Sequence, residues 1–348
     1  MKLLIKFYNT PSLLLIFTTL FWAFNTIFGQ LAIDEISPLQ IVPLRWLFVS
    51  TSLWVLFGND VKNDWNIIKP EIKKITFMAL MGFTGFNFLF YTASHYTTAI
   101  NMGIIQSIVP VYVLIGAYIF YKNKINLLQS FGVLISILGV LIITTKGNIE
   151  LLISMDLNQG DLLMLIACLM YSYYTLALKS RIEISGIKFF TLMSMIANIL
   201  ALPLFIVDYF INGLNYPTLK GWIIAILVAI FPSSLAQIFY LRAVDIAGPG
   251  KAGIYTNIVP IFSSFLAVII LNQSFHIFHG ISLVLVLTGI WIVEKNSIKY
   301  YKFYKSGRAT ARSRRAARHT SMGERFGARL SAAATAPRRH AQSFFKNI

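Results

Sequence analysis

Lysines and arginines in residues 1–300 gather in short clusters, and between the clusters run apolar stretches of about twenty residues, long enough to cross a ~30 Å hydrocarbon core as helix. Lipid cannot satisfy backbone N–H and C=O groups, so a spanning segment must bond within itself or close into a barrel. The runs are continuously apolar and lack the alternation of barrel strands, so they predict helices. Ten fall at 11–33, 39–57, 75–94, 99–121, 127–145, 161–180, 186–208, 221–242, 252–272 and 276–294. Composition agrees: 57% of residues are hydrophobic and 12% charged, with mean hydropathy +0.69, against about 25% charged in soluble domains. Lys2 and Lys6 before the first run resemble a signal peptide, but the run is long, holds Trp22 and Asn25, and lacks a small-x-small cleavage site, so it reads as a retained span.

The clusters alternate. One set of connections holds Lys2, Lys6, Lys62, Lys69, Lys73, Lys74, Lys122, Lys124, Lys179, Arg181, Lys188, Arg242 and Lys251; the other holds only Lys146 and Lys220. The positive-inside rule places the first set, and with it both termini, in the cytoplasm of a multi-pass cell-membrane protein.

The chain also repeats itself at an offset of 150 residues. Gly103-Ile104-x-x-x-Ile108-Val109-Pro110 recurs as Gly253-Ile254-x-x-x-Ile258-Val259-Pro260, with Ala93 over Ala243, Asn87 over Gln237 and Gly139 over Gly289. Each copy holds five spans, and an odd unit used twice is inverted the second time. The expected organisation is an all-α membrane protein of ten transmembrane helices in two inverted five-helix repeats, 11–145 and 161–295, followed by a tail, 296–348. The tail is a different kind of sequence: 307–341 carries nine arginines and one acid, with many alanines, and reads as disordered or of separate origin, with no nucleic-acid partner expected.

"LFWAFNTIFGQLAI", "SPLQIVPLRWLF", "YTASHYTTAINMGIIQSIVPVYVLIGAYIF" and "GKAGIYTNIVPIFSSFLAVII" resemble EamA-type transporters of the drug/metabolite transporter superfamily over about residues 11–295. The resemblance implies a ten-helix inverted repeat, a central cavity and movement of small metabolites. Members often carry a glutamate after spans four and nine, where this chain has Asn123 and Gln273.

Gly103, Ser107 and Pro110 lie on one helical stripe, as do Gly253, Asn257 and Pro260. The glycines allow close helix approach, and each proline frees a carbonyl four residues back, so both helices are expected to kink around the cavity. Its polar lining is expected from Trp22, Asn25, Arg45, Asn87, Tyr91, Ser107, Tyr171, Tyr174, Gln237, Tyr240 and Asn257. Aromatic walls with uncharged anchors suit an amine-bearing solute, an amino acid before a nucleoside-like or sulfonium metabolite. Arg45 either meets a substrate carboxylate or phosphate, or turns to the helix end. His95 is the one histidine near a path in the first repeat, and the acids Asp34, Glu35, Asp161, Asp208, Asp245 and Glu294 all read as lying near span ends, which leaves the coupling ion open.

No catalytic constellation, metal set or cofactor site is expected. Gly248-x-Gly250-x-x-Gly253 matches a dinucleotide fingerprint in letters but follows no strand. Cys168, the sole cysteine, reads as a small core residue. Partners are membrane lipid and a small solute; oligomeric state is open. A passive channel is the alternative class.

Overall fold

In the computed structural model, residues 7–122, 125–148, 150–151, 157–247, 252 and 255–293 are described. Among them there is helix and no strand. The helices are α1 (Pro11–Leu31), α2 (Pro38–Asn63), α3 (Trp65–Ser94), α4 (Ala99–Tyr121), α5 (Leu127–Thr144), α6 (Gln159–Ser180), α7 (Gly186–Asn212), α8 (Leu219–Ala247), α9 (Val259–Leu271) and α10 (Ile277–Val293). The first eight are long and apolar enough to cross a membrane; within the described residues α9 and α10 are apolar but shorter, and residues beside both, 253–254 and 294 onward, lie outside those described. Ile258 caps the start of α9 behind an Asn257–Ile258 turn, and Pro260 fixes its first turn; residues 252 and 255–256 before that turn are helical, as 99–106 are before the matching turn in α4. The tail lies outside the described residues.

Connections gather at two ends. At one, Lys188 pairs with Asp64 at 2.8 Å, Lys74 reaches the Ser180 carbonyl, and Arg242 donates to Asn9 at 2.8 Å. At the other, Thr218 N–H donates to the Glu35 carbonyl at 3.0 Å and Asn158 donates to the Tyr96 carbonyl at 2.8 Å. These are the lysine-rich and lysine-poor ends of the sequence. Helix α1 starts at the first and α6 at the second, so the two five-helix units run oppositely. Val55, Leu56, Phe120 and Phe210 stand exposed on the outside, as a lipid-facing surface requires, while one apolar core draws on all ten helices, from Ile27 in α1 to Ile290 in α10.

The 150-residue register appears in local geometry. Helix α3 widens to a π-helix over Leu80–Gly85, and α8 does so over Ala229–Leu235. Helix α4 turns at Ser107–Ile108, and the matching turn in the second copy, Asn257–Ile258, leads into α9. The α4 and α9 ends share a left-handed cap, Lys122 (φ 51°) and Asn272 (φ 52°). The copies also touch through matched glycines. A Cβ on Gly139 would lie 3.0 Å from the Ser282 carbonyl oxygen, and one on Gly289 would lie 2.5 Å from the Gly132 carbonyl oxygen. Helices α5 and α10 therefore cross backbone to backbone, and the Ser282 hydroxyl donates to the Gly139 carbonyl.

Candidate functional site

Arg45 follows Pro43 in the second turn of α2 and is 5% exposed. It neither turns to the helix end nor bonds carbonyls. Its Nε donates to Ser233 Oγ at 2.6 Å, and its Nη1 donates to Asn87 Oδ1 at 2.6 Å, Tyr91 OH at 3.0 Å and Asn25 Oδ1 at 3.1 Å. Tyr91 OH donates in turn to Asn25 Oδ1 at 2.8 Å. Four helices thus converge on one guanidinium: α1 with Asn25, α2 with Arg45, α3 with Asn87 and Tyr91, and α8 with Ser233. Every acceptor is neutral, and among the described residues no carboxylate lies within ion-pair distance of Arg45.

The π-helices place two of these acceptors. A wider turn leaves a backbone carbonyl facing five residues ahead rather than four. Ser233 Oγ fills that gap, donating to the Val228 carbonyl at 2.6 Å while accepting from Arg45. In α3, Asn87 Nδ2 donates to the Phe83 carbonyl at 2.6 Å, which fixes its amide with Oδ1 toward Arg45.

Aromatic residues extend the site. Trp46 stacks on Phe83 (4.7 Å between centroids, 2° between planes), Phe83 meets Tyr174 at 5.4 Å, and Tyr174 meets Tyr171 at 5.4 Å. Trp22 packs on Tyr240 at 5.3 Å. The Trp46 ring lies 5.4 Å from the Arg45 guanidinium, and its Nε1–H is buried with no acceptor among the described residues. A cavity of about 250 Å³ opens at the lysine-poor end between α2, α7 and α8, lined by Gln40, Leu44, Asp208 and Trp222, one residue along from Arg45. A shallower depression of about 590 Å³ between 142–147 and 276–281 lies away from the arginine.

Asn25, Arg45, Asn87 and Tyr91 are therefore brought together, with Trp22, Tyr171, Tyr174 and Tyr240 as a second, aromatic group. Three expected residues stand apart. Gln237, the register mate of Asn87, is half-buried and outside the arginine's hydrogen-bond set, its place taken by Ser233 one turn earlier. Ser107 is buried, and its hydroxyl turns back to the Gly103 carbonyl at 3.5 Å. Asn257 sits in the turn before α9. Gly103 packs on α9, where an added Cβ would lie 2.5 Å from Ser263 Cβ and 3.8 Å from Pro260 Cα, so the two motifs meet at their own crossing. Gly253 lies outside the described residues.

Two of the acids expected near span ends lie there and are also buried: Asp161, wholly, in the first turn of α6, and Asp208, at 3% exposure near the end of α7, where Ser37, Gln40 and Asn212 donate to it. Proximity to a helix end in the sequence says nothing of what packs over that end. At the interface, burial draws His95 below its ordinary value of 6.5, against the pull of Asp34, so the imidazole is neutral at neutral pH.

Paired five-helix units of opposite direction, closed over a polar centre, define a polytopic membrane protein built from an internal repeat. The chain belongs to the EamA-like transporter family, whose model matches it twice, at 9–145 and 158–294. It is similar to an uncharacterized transporter of Archaeoglobus fulgidus, 25% identical and covering 80% of this chain and 96% of the relative. It is also similar to the uncharacterized transporter YetK of Bacillus subtilis, 23% identical over 77% of this chain and 82% of the relative. A crystal structure at 12% identity shares the fold with a TM-score of 0.55, covering 82% of this chain and 98% of that one. The chain is thus a multi-pass membrane protein of a family of transporters.

Proposed function

We propose that the chain is a secondary transporter that moves a small organic metabolite across the cell membrane by alternating access, with the Arg45 centre as its binding site. One observation carries this reading: a guanidinium buried among the helices of both repeats, held only by neutral oxygens. A buried cation without a counter-charge is costly, and an incoming carboxylate would match its planar fork. The aromatic group of Trp22, Tyr171, Tyr174 and Tyr240 would receive an ammonium by cation–π contact. Together they favour an amino acid or related amine-bearing compound over a sulfonium or nucleoside-like metabolite. The lysine-rich end is placed in the cytoplasm by the positive-inside rule.

A radiolabelled metabolite panel in proteoliposomes, with imposed pH and sodium gradients, tests the reading. Saturable counterflow of an amino-acid-like solute supports it; non-saturable flux without counterflow would instead establish a passive channel. Cysteines at 150 and 215 should label from outside the cell, and labelling only from the cytoplasmic side would reverse the topology.

A further inference from the structure

Asp161 opens the first turn of α6 and is 0% exposed. Its carboxylate accepts from the Thr97 hydroxyl and from Asn101 Nδ2, the latter at 3.3 Å to both oxygens. No lysine, arginine or histidine stands within ion-pair distance among the described residues. The charged and titratable groups around it are few. Lys146, on the α5–α6 connection, acts on it through space; His95, on the α3–α4 connection, is near enough to Asp34 to feel its charge; neither α4 near Asn101 nor the first turns of α6 bring another charge, Lys179 standing at the far end of α6. Asn101 is 5% exposed, and its Oδ1 has no donor. Gly160 allows this closeness, since a Cβ there would lie 2.8 Å from the Ala93 carbonyl oxygen and 2.9 Å from Thr97 N.

An anion with no cation in contact and an amide oxygen without a donor therefore lie on one residue pair. A single proton answers both. Protonated, Asp161 would donate to Asn101 Oδ1 once the amide turns, and keep the Thr97 hydroxyl on its other oxygen. A metal ion fits less well, because Thr97 and Asn101 offer hydrogens to the carboxylate, whereas a hard cation needs oxygens on every side.

The position matters as much as the chemistry. Thr97 and Asn101 belong to the first repeat and Asp161 to the second. Beside them, Gln30 Nε2 donates to the Ser94 and Thr97 carbonyls at 2.8 Å each, Gln273 Nε2 donates to Gln30 Oε1 at 3.3 Å, and Ile100 N–H donates to Gln273 Oε1 at 3.3 Å. This network ties α1, the α3–α4 connection, α4 and the α9–α10 connection to one another at the lysine-poor end. Replacing an acceptor by a donor at Asp161 rewrites the bonds between the repeats there.

We propose that Asp161, Asn101 and Thr97 form a proton-binding site in the seam between the two repeats, through which a proton gradient drives opening of the lysine-poor end. The proton site stands on the geometry alone; its coupling role rests on the transport reading above.

The test uses the full chain in phosphatidylethanolamine–phosphatidylglycerol vesicles and infrared difference spectra on acidification, in potassium and in sodium buffer. The carbonyl stretch of a protonated carboxylic acid should appear as pH falls, vanish in Asp161→Asn, persist in Asp208→Asn, and return with a changed midpoint in Asp161→Glu. No such band, a band that survives Asp161→Asn, or a response to sodium and not to pH overturns the site. With a transported metabolite in hand, wild type should concentrate it under a pH gradient, while Asp161→Asn exchanges it without concentrating it. Proton-driven accumulation by Asp161→Asn would sink the coupling role. A titrating Asp161 band in a protein that moves no metabolite would keep the site and refute the transport reading.

Discussion

Replacing Arg45 by leucine separates a binding arginine from a structural one. The guanidinium makes four hydrogen bonds to neutral partners. At about 1 kcal/mol net each they contribute about 4 kcal/mol, and loss of its arginine donor leaves Asn87 Oδ1 unpaired at about 1–3 kcal/mol. The other partners keep alternatives: Asn25 retains Tyr91, and Ser233 retains Val228. Against this stands the cost of holding an unpaired charge out of water, several kcal/mol after relaxation. The two sides nearly cancel, so Arg45→Leu should shift stability by no more than about 2 kcal/mol in either direction. Transport should behave otherwise. Losing a buried carboxylate–guanidinium contact is worth about 3–5 kcal/mol, or about two to three and a half decades of rate. The assay is counterflow in proteoliposomes beside thermal unfolding of the same preparation in detergent. Wild-type counterflow by Arg45→Leu refutes the binding role. A large stability loss that accounts for all the lost flux makes the arginine a strut between helices. Arg45→Lys, which keeps charge but loses the planar fork, should fall between.

Other outcomes follow from particular contacts. Gly289→Ala sets a Cβ against the Gly132 carbonyl and Ser136 and should cost about 1–3 kcal/mol, whereas Gly280→Ala, with its nearest neighbour at 3.6 Å, should be nearly silent in the same unfolding assay. Gly103→Ala should destabilise to a similar degree and be partly rescued by Ser263→Gly, a coupling that a double-mutant cycle measures. Ser233→Ala removes both the Arg45 acceptor and the plug of the α8 π-helix and should cost about 1–3 kcal/mol. At the lysine-poor end, hydrogen bonds from Thr218 and Lys220 hold Glu35 below its ordinary value of 4.5. That tie is therefore complete above pH 4.5 and is lost as pH falls through the lowered value. Amide exchange at 218–221 should quicken there in wild type and show no such step in Glu35→Gln.

The helices and their opposed repeats were legible because lipid leaves so few alternatives: run length, loop lysines and one internal offset suffice. Arg45, Asn25, Asn87 and Tyr91 were legible as polar groups at depth. Ser233 was not, because a hydroxyl in an apolar run carries no mark until the π-helix aims it. The π-helices leave no shared signature, with Pro232 in α8 standing where α3 has Gly82. Asp161 was legible as an acid near a span end, but its burial was not, because that depends on a glycine beside it and a carbonyl from another helix.

Each of the paired π-helices accommodates about one residue beyond an α-helical turn, and one residue turns everything after it by about 100°. Deleting a residue within 80–85 would swing Asn87 and Tyr91 away from Arg45, so length there is as constrained as identity. The same surplus residue sits at the matched place in both halves. The guanidinium does not follow the repeat in this way: the register mate of Arg45 is Met195, so one wide turn of each half serves a single arginine carried by only one of them.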